Sequence, residues 1–264
     1  MRQPVLFVSH GTPMRALEGG AWGEALGRLG ATLTAKAILA ISAHWEAPEP
    51  LRISSSPKPA TLHDFGGFPE ALYAIEYPAP GDPTLASRTA GLLQAAGHEA
   101  RLDAERPLDH GTWSPLVHMV PDASIPVVQL SLPRPRDPRE LFAIGQTLAP
   151  LRDEGVLILG SGGIVHNLRR LDWHGRGDQP EAWSLAFDAW AAEALAKGDT
   201  ESLLDWERRA PDPHTAHPST EHWDPLLVAL GAAGGERPTT VYEGFEMGNL
   251  SLRSVAWGIP TSGS

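Results

Sequence analysis

Four short stretches of the chain are almost entirely apolar and rich in β-branched residues. They lie at 4–9, 37–44, 125–132 and 156–159. Continuous apolar runs of this length are typical of strands covered on both faces, as in a parallel sheet. Segments with helical spacing lie between them, at about 21–35, from Asp82-Pro83 onward, and from Asp137 to about Leu151. This pattern predicts an α/β fold with a central, mostly parallel sheet flanked by helices.

A proline-rich stretch at about 46–81 interrupts the pattern. It contains seven prolines, the segment His63–Phe68 and a brief predicted helix near 69–73. Loops this long in a compact domain usually serve as lids or binding walls. No linker or internal repeat divides the chain, so we predict one domain, 1–264, with an insert at its active site.

The remaining elements follow from the same patterning. A loop is predicted at 108–115, leading into a short apolar segment at 116–119. Helices are predicted at about 181–196, 199–207 and from Glu221 to Leu230, with a loop at 211–218 between the last two. Two strand candidates, 239–245 and 250–257, close the chain.

Histidines follow several of these strands closely. His10, His44 and His166 each come at or just after the end of an apolar run, and His110 and His222 lie at junctions between a loop and the next element. In open parallel sheets, ligands bind outside the carboxyl ends of the strands. We therefore expect the active site at this edge of the sheet, with these imidazoles facing one crevice.

Composition narrows the chemistry available there. The chain has 264 residues, eleven histidines and no cysteine, so a metal would be held by nitrogen and oxygen ligands. Several imidazoles without a thiol suit Fe(II), Zn(II) or Mn(II). The net charge of −11 provides no basic surface for nucleic acid. No apolar run approaches the roughly eighteen residues of a membrane span, and no signal-peptide pattern is present, so a cytoplasmic location is expected.

Each histidine also has an ordinary structural interpretation. A single histidine at a strand end is more often a hydrogen-bonded structural group than a ligand. Two such histidines on neighbouring strands make metal binding and a purely structural role about equally probable. Among the others, His98 is expected to cap a helix C-terminus, His118 to lie in an apolar helical face and His214 at the surface.

Six motifs in a fixed order, taken together, carry a resemblance. They are Ser9-His-Gly11, Ser42-Ala-His-Trp45, His63-Asp-Phe-Gly-Gly-Phe-Pro69, Leu108-Asp-His-Gly111, Gly160-Ser-Gly-Gly-Ile-Val-His-Asn167 and Glu221-His-Trp-Asp-Pro-Leu226. In this order they resemble the class III extradiol ring-cleavage dioxygenases, and most closely the 4,5-DOPA dioxygenase branch. The segment Glu246–Ser251 extends the likeness.

The resemblance implies a mononuclear non-haem metal site held by His10, His44 and His222. The protocatechuate-type relatives have a glutamate at the last position, whereas here Glu221 lies beside His222. The resemblance also implies that His166 is the acid–base catalyst, close enough to the metal to count as a ligand in a resting structure. His110 corresponds to a histidine that orients oxygen or the substrate hydroxyl.

The same resemblance implies the reaction and its partners. A catechol, such as DOPA or another para-substituted catechol, would be opened with O2 to a muconic semialdehyde. Fe(II) is expected to be the working metal, with Zn(II) as an alternative occupant of the site. No nucleic-acid or membrane partner is expected, and the oligomeric state does not follow from the sequence.

The proline-rich insert is the candidate wall for an aromatic substrate. His63 and Phe65 are assigned to the substrate, with Phe68 and Tyr73 beside them, although ordinary packing of the loop explains them equally well. His217, near His222, is a further candidate for contacting a substrate carboxylate.

Three alternative functions stay open on the sequence alone. Tetrapyrrole metal chelatases also begin with a strand ending in a histidine and a glycine, but need neither the Ala-His-Trp nor the Glu-His-Trp segment. A non-catalytic metal-binding relative would not need all five site histidines. A zinc hydrolase lacks support, since the chain contains no His-Glu-x-x-His motif.

Overall fold

A computed structural model shows one large mixed sheet, and it describes residues 2–135, 137–172 and 179–259. The large sheet has eight strands in the order β4-β3-β5-β2-β6-β1-β10-β7, and β8 and β9 form a separate pair. The strands are β1 Val5–Ser9, β2 Ala37–Pro48, β3 Leu51–Ser54, β4 Ala100–Asp103, β5 Val127–Arg134, β6 Val156–Gly162, β7 Thr239–Tyr242, β8 Phe245–Glu246, β9 Leu250–Ser251 and β10 Ser254–Trp257.

The centre of the sheet is parallel and its margins are mixed. β5, β2, β6 and β1 run parallel to one another, in that order. β10 pairs antiparallel with β1 and with β7, while β3 pairs antiparallel with β5 and parallel with β4. The predicted α/β fold with a mostly parallel sheet is confirmed.

Helices cover both faces of the sheet. They are α1 Gly20–Gly30, α2 Glu70–Tyr73, α3 Pro83–Ala95, α4 His110–Met119, α5 Pro138–Leu148, α6 Ala182–Lys197, α7 Thr200–Leu204, α8 Trp206–Arg209, α9 Pro213–Ala216 and α10 Asp224–Ala233. Side chains of β1 alternate between the two faces. Val5 and Phe7 enter the core with α3, α5, α6 and α10, whereas Leu6 and Val8 enter the core with α1 and α4.

Two parts of the chain differ from their prediction. Residues 108–115 were expected to form a loop, but α4 begins within them, at His110. The carboxylate of Asp109 caps this helix by accepting a hydrogen bond from the amide of Thr112 at 3.1 Å, a local signal that outweighs Pro115 inside the helix. The proline-rich insert also contributes regular structure, since β2 continues to Pro48 and β3 joins the large sheet.

None of the helices in the described parts of the chain is long and apolar enough to cross a membrane.

Candidate active site

Five histidines meet at the carboxyl edge of the parallel strands. His10 follows β1, His44 lies in β2 where its pairing register with β5 shifts between Ile41 and Glu46, and His166 follows β6. Irregularities of this kind re-aim side chains and are common beside active sites. His110 begins α4, and His222 lies two residues before α10. The structure thus brings together all five histidines assigned to the metal and to catalysis.

Three of these imidazoles converge on one point. One ring nitrogen from each of His10, His44 and His222 lies within 4.8 Å of the other two. The Nε2 atoms of His10 and His44 are 3.2 Å apart. Nε2 of His222 is buried and has no hydrogen-bond partner within the described residues. A buried imidazole nitrogen without a partner is costly, and a cation held by three imidazoles would satisfy it. These residues fit the predicted metal.

The protonation states of these histidines suit metal binding. Burial, followed by the neighbouring imidazoles, lowers the pKa of His10 and of His222 well below the ordinary value. Burial also lowers the pKa of His44 to about 4 and that of His166 to about 3. All four rings are therefore neutral near pH 7, and a neutral imidazole offers a metal the lone pair that it needs.

A serine sets the orientation of the His10 ring. The Ser161 hydroxyl donates its proton to the carbonyl of Gly111, so its oxygen accepts a hydrogen bond from Nδ1 of His10 at 3.0 Å. The Gly111 carbonyl is available because its helical partner would be the amide of residue 115, which is a proline. Since Nδ1 of His10 carries the proton, its Nε2 presents a lone pair to the site.

Ser161→Ala is expected to weaken binding of a divalent metal by about 10–100-fold, because the protein then loses the group that fixes the His10 tautomer. Calorimetric titration of the metal-free protein with Zn(II) would measure this change. Ser202→Ala is the matched control, since Ser202 is buried at α7 and its hydroxyl donates to Asp199. Equal affinity of the Ser161 variant and the wild type would contradict the assignment.

An aspartate lies beside two further imidazoles and orients one of them, His110. Oδ1 of Asp64 accepts hydrogen bonds from the backbone amide of His110 at 3.0 Å and from its Nδ1 at 2.8 Å. Its Oδ2 lies 3.6 Å from Nδ1 of His44. Burial opposes ionisation of this carboxyl, but the hydrogen bonds from His110 outweigh it and lower the pKa of Asp64 to about 2. Asp64 is therefore an anion that holds Nδ1 of His110 protonated.

His166 occupies a different position from the other four. Its ring stacks on that of His222 with centroids 3.3 Å apart and an interplanar angle of 6°. Its ring could share a metal ion with His222 and Glu221, but it does not belong to the set of converging ligands formed by His10, His44 and His222. Nδ1 of His222 in turn lies 3.2 Å from Oε1 of Glu221. The geometry places His166 beside the three converging imidazoles, where it can exchange a proton with a bound molecule.

A glycine lets the His222 segment approach the sheet. A Cβ atom on Gly162, at the end of β6, would lie 2.1 Å from the carbonyl oxygen of His222. That carbonyl accepts a hydrogen bond from the amide of Gly163 at 2.9 Å. Any larger side chain at position 162 would displace His222, so the Gly160-Ser-Gly-Gly163 segment helps to position a predicted ligand.

The imidazoles lie in a cavity of about 760 Å³. Phe65 and Phe68, from the proline-rich insert, contribute apolar wall, as do Leu168 and Leu171 on the segment after β6. Phe65 packs edge-on against His110 with ring centroids 5.5 Å apart. The prediction that Phe65 lies at the substrate cavity therefore agrees with its position.

His63 does not line this cavity. Its Nε2 contacts the carbonyl oxygen of Ile75 at 3.0 Å, and its ring packs against Phe65, Tyr73 and Trp113. The structure thus places His63 behind Phe65, where it supports the cavity wall. Its direct contact with a substrate stays a prediction.

His217 is also displaced from its predicted role. It is buried among Phe187, Trp206 and Trp223, and its Nε2 donates to the carbonyl of Ile164 at 2.8 Å. It does not line the cavity, so it is not in a position to contact a substrate carboxylate. Closeness to His222 in sequence was misleading because the chain turns between the two residues through 218–221.

His217 should make the protein sensitive to acid. Burial lowers its pKa from 6.5 to about 4. Between these two values the unfolded chain binds a proton and the folded chain does not, so the free energy of unfolding falls as the pH falls through this window. His217 should make the protein about 2 kcal/mol less stable at pH 5 than at pH 7.

The test compares urea unfolding of the wild type and His217→Gln at pH 7 and pH 5, with equal metal content. A glutamine amide can donate to Ile164 but does not titrate, so the variant should lose less stability at pH 5 than the wild type. His214→Gln, at an exposed position, is the matched control and should behave like the wild type. The same loss in all three proteins would exclude this role.

Several site residues escaped the sequence analysis. Asp64 lies within the His63–Pro69 motif, but no sequence pattern indicates its contact with His110, which is distant in the chain. Glu246 anchors the segment after His10, because its carboxylate accepts hydrogen bonds from Thr12 and Arg15 at 2.7–2.9 Å. Glu46 and Arg134 also line the cavity. Arg134 is the last residue of β5. Ligands bind at the carboxyl ends of parallel strands, and this reasoning, which identified His10, would also have identified Arg134.

Comparison with known proteins defines the class to which this fold and site belong. Residues 4–253 match the family described as the catalytic LigB subunit of aromatic ring-opening dioxygenase, and the chain belongs to this family. It is therefore an oxidoreductase of the class III extradiol type, as the motifs predicted. LigB-type extradiol dioxygenases depend on a metal, in agreement with the cluster of His10, His44 and His222.

Individual relatives are similar over nearly the whole chain. A 4,5-DOPA dioxygenase extradiol of Escherichia coli strain K12 is 42% identical over 97% of this chain and 95% of its own length. One from Beta vulgaris is 41% identical over 94% of each chain. The crystal structure of an uncharacterized protein from Escherichia coli K12 superposes with a TM-score of 0.83 at 37% identity, covering 97% of this chain and 100% of that one. These likenesses favour a dioxygenase over a chelatase.

Proposed function

We propose that the protein opens the ring of a para-substituted catechol with O2 and yields a muconic semialdehyde. Its partners would be these two small molecules, and its location the cytoplasm. In this reaction the carbon–carbon bond beside the diol breaks, and both atoms of O2 enter the product. The observation that carries the proposal is the convergence of three imidazole nitrogens within 4.8 Å at a cavity of about 760 Å³. Such a cavity is within the usual size range for a small-molecule site.

His10, His44 and His222 would hold the metal, which we propose to be Fe(II) in the active protein, with Zn(II) as an alternative occupant. When bound, Fe(II) would bring the diol and O2 together and carry electrons between them. Three neutral imidazoles add no negative charge, so such a site is more positive than one with two histidines and a carboxylate. A catecholate anion suits that charge.

His166 is our candidate for the base and later the acid. A catechol must lose protons to bind through its oxygens, and a neutral imidazole at the cavity wall can accept one. Burial, followed by the neighbouring imidazoles, lowers the pKa of His166 to about 3. A substrate anion beside it would raise that pKa and help it retain the proton for later delivery to the opening ring.

His110 has a complementary task. Its Nδ1 donates to Asp64, so its Nε2 is free to accept a hydrogen bond from a substrate hydroxyl. Phe65 lies against the same ring and provides an apolar surface for the catechol. His110 would thus orient the diol while Phe65 supports the plane of the aromatic ring.

The test is direct. The protein is stripped of metal, reloaded with Fe(II) without oxygen, mixed with DOPA or another para-substituted catechol, and then exposed to air. Oxygen consumption together with the yellow colour of a ring-opened semialdehyde is the expected result, and the Zn(II)-loaded protein should give neither. Absence of oxygen uptake across a panel of catechols would contradict the proposal.

A further inference from the structure

One ion pair on the cavity wall has no part in the reaction described so far. Arg134 ends β5 and Glu46 lies in the neighbouring strand β2. Nη2 of Arg134 contacts Oε2 of Glu46, and both residues line the cavity. The Arg134 side chain is 58% exposed and that of Glu46 20%. Because the guanidinium is more than half exposed, solvent screens this pair and the pair contributes little to stability, so Arg134 can exchange its partner at small cost.

Arg134 also differs in charge from everything else on the wall. It is the sole arginine or lysine among the described residues that line the cavity. The buried imidazoles of His10, His44, His166 and His222 are neutral near pH 7. The carboxylates of Asp64 and Glu221 contact histidines. Besides the proposed metal, an anionic group on a bound molecule therefore finds one permanently charged cationic side chain among the described residues of this cavity, the Arg134 guanidinium.

The position of the pair relates it to the metal ligands. Glu46 follows His44 by two residues in β2, and two residues along a strand span about 6.5–7 Å. A catechol with its diol at the imidazoles must direct its substituent away from them. Glu46 lies two residues along β2 from His44, and the pair lines the same cavity, so it can meet a substituent that extends along this wall.

We infer that Arg134 is a specificity-determining residue that binds a carboxylate on the substituent of the catechol, with Glu46 occupying the guanidinium when the cavity is empty. This inference rests on the proposed function. A guanidinium has five N–H donors in a planar fork that matches a carboxylate, so Arg134 can turn from Glu46 to the carboxylate of a bound molecule. Glu46 then competes with the substrate and limits its affinity.

The test uses two probes that differ by one group, 3,4-dihydroxyphenylacetate and 4-methylcatechol, with the Fe(II)-loaded full-length protein. Arg134→Gln should raise KM for the acid by about tenfold to a hundredfold, because a charge-assisted hydrogen bond is lost. The kcat for the acid, and both constants for 4-methylcatechol, should stay within about twofold, as expected for loss of uniform binding. Glu46→Gln should act in the opposite direction and lower KM for the acid.

Arg139→Gln is the matched control, since Arg139 forms an exposed pair with Glu201 that does not line the cavity. It should leave all constants unchanged. A rise of KM for both probes in Arg134→Gln would assign this residue to the shape of the cavity and overturn the inference. No change for either probe would overturn it as well.

Failure of the proposed function has a distinct signature. The wild type would then turn over neither probe, whatever happens in the variants. Calorimetric binding of the two probes to the Zn(II)-loaded protein would still test Arg134. Preference of the wild type for the acid, lost in Arg134→Gln, would support the inference, and equal or undetectable binding of both probes would refute it.

Discussion

His222→Ala is expected to abolish stoichiometric metal binding and, with it, ring opening. Nε2 of His222 is buried, has no hydrogen-bond partner within the described residues, and belongs to the group that converges with His10 and His44. Removing one of three ligands should cost more than the roughly 10–100-fold loss that follows from removing an outer partner. Metal analysis of the desalted protein after incubation with Fe(II) or Zn(II) should show far less than one metal per chain.

Two controls separate loss of a ligand from loss of the fold. His214→Ala removes an exposed histidine and should keep one metal per chain. Circular dichroism should show that His222→Ala retains the helical content of the wild type. If His222→Ala binds one metal per chain and keeps full activity, the assignment of this residue is wrong.

His166→Phe is expected to keep the metal but to lower kcat by about 10²–10⁴-fold, the usual contribution of a general acid–base group. Phenylalanine preserves a flat ring against His222, where the two imidazoles stack at 3.3 Å, but it can neither accept nor deliver a proton. Rates of oxygen uptake at saturating catechol, measured with metal content determined on the same samples, would test this.

The metal content of this variant distinguishes the two roles considered for His166. Retention of one metal per chain with a low kcat supports acid–base catalysis. Loss of the metal would show that His166 is a ligand, in spite of its absence from the group formed by His10, His44 and His222. A kcat equal to that of the wild type would exclude both roles.

Much of the central architecture follows from local patterning. The apolar runs that became β1, β2, β5 and β6 had to be buried on both faces, and that requirement alone implies a parallel sheet with helices on each side. Asp82 and Asp137 also predicted helix starts, because the side chain of each accepts hydrogen bonds from backbone amides of the first helical turn. The start of α4 was missed because the prolines and glycines near it outweighed the cap at Asp109.

Two predicted substrate contacts rested on position in the sequence alone. His63 was assigned to the substrate as part of the proline-rich insert, and His217 because it lies near His222 in the sequence. Nearness in sequence does not fix the direction of a side chain, and tertiary packing turned both away from the cavity.

The sequence by itself determined the fold class, the edge of the sheet that carries the site, and the five histidines gathered there. Strand direction is sufficient for this, because the carboxyl ends of parallel strands meet at one edge. Only the tertiary structure decided which ring nitrogens converge, that Ser161 and Asp64 set two tautomers, and that Arg134 is the cation on the cavity wall. These contacts join residues distant in sequence, and their geometry depends on how β1, β2, β6 and α4 pack, which no local pattern encodes.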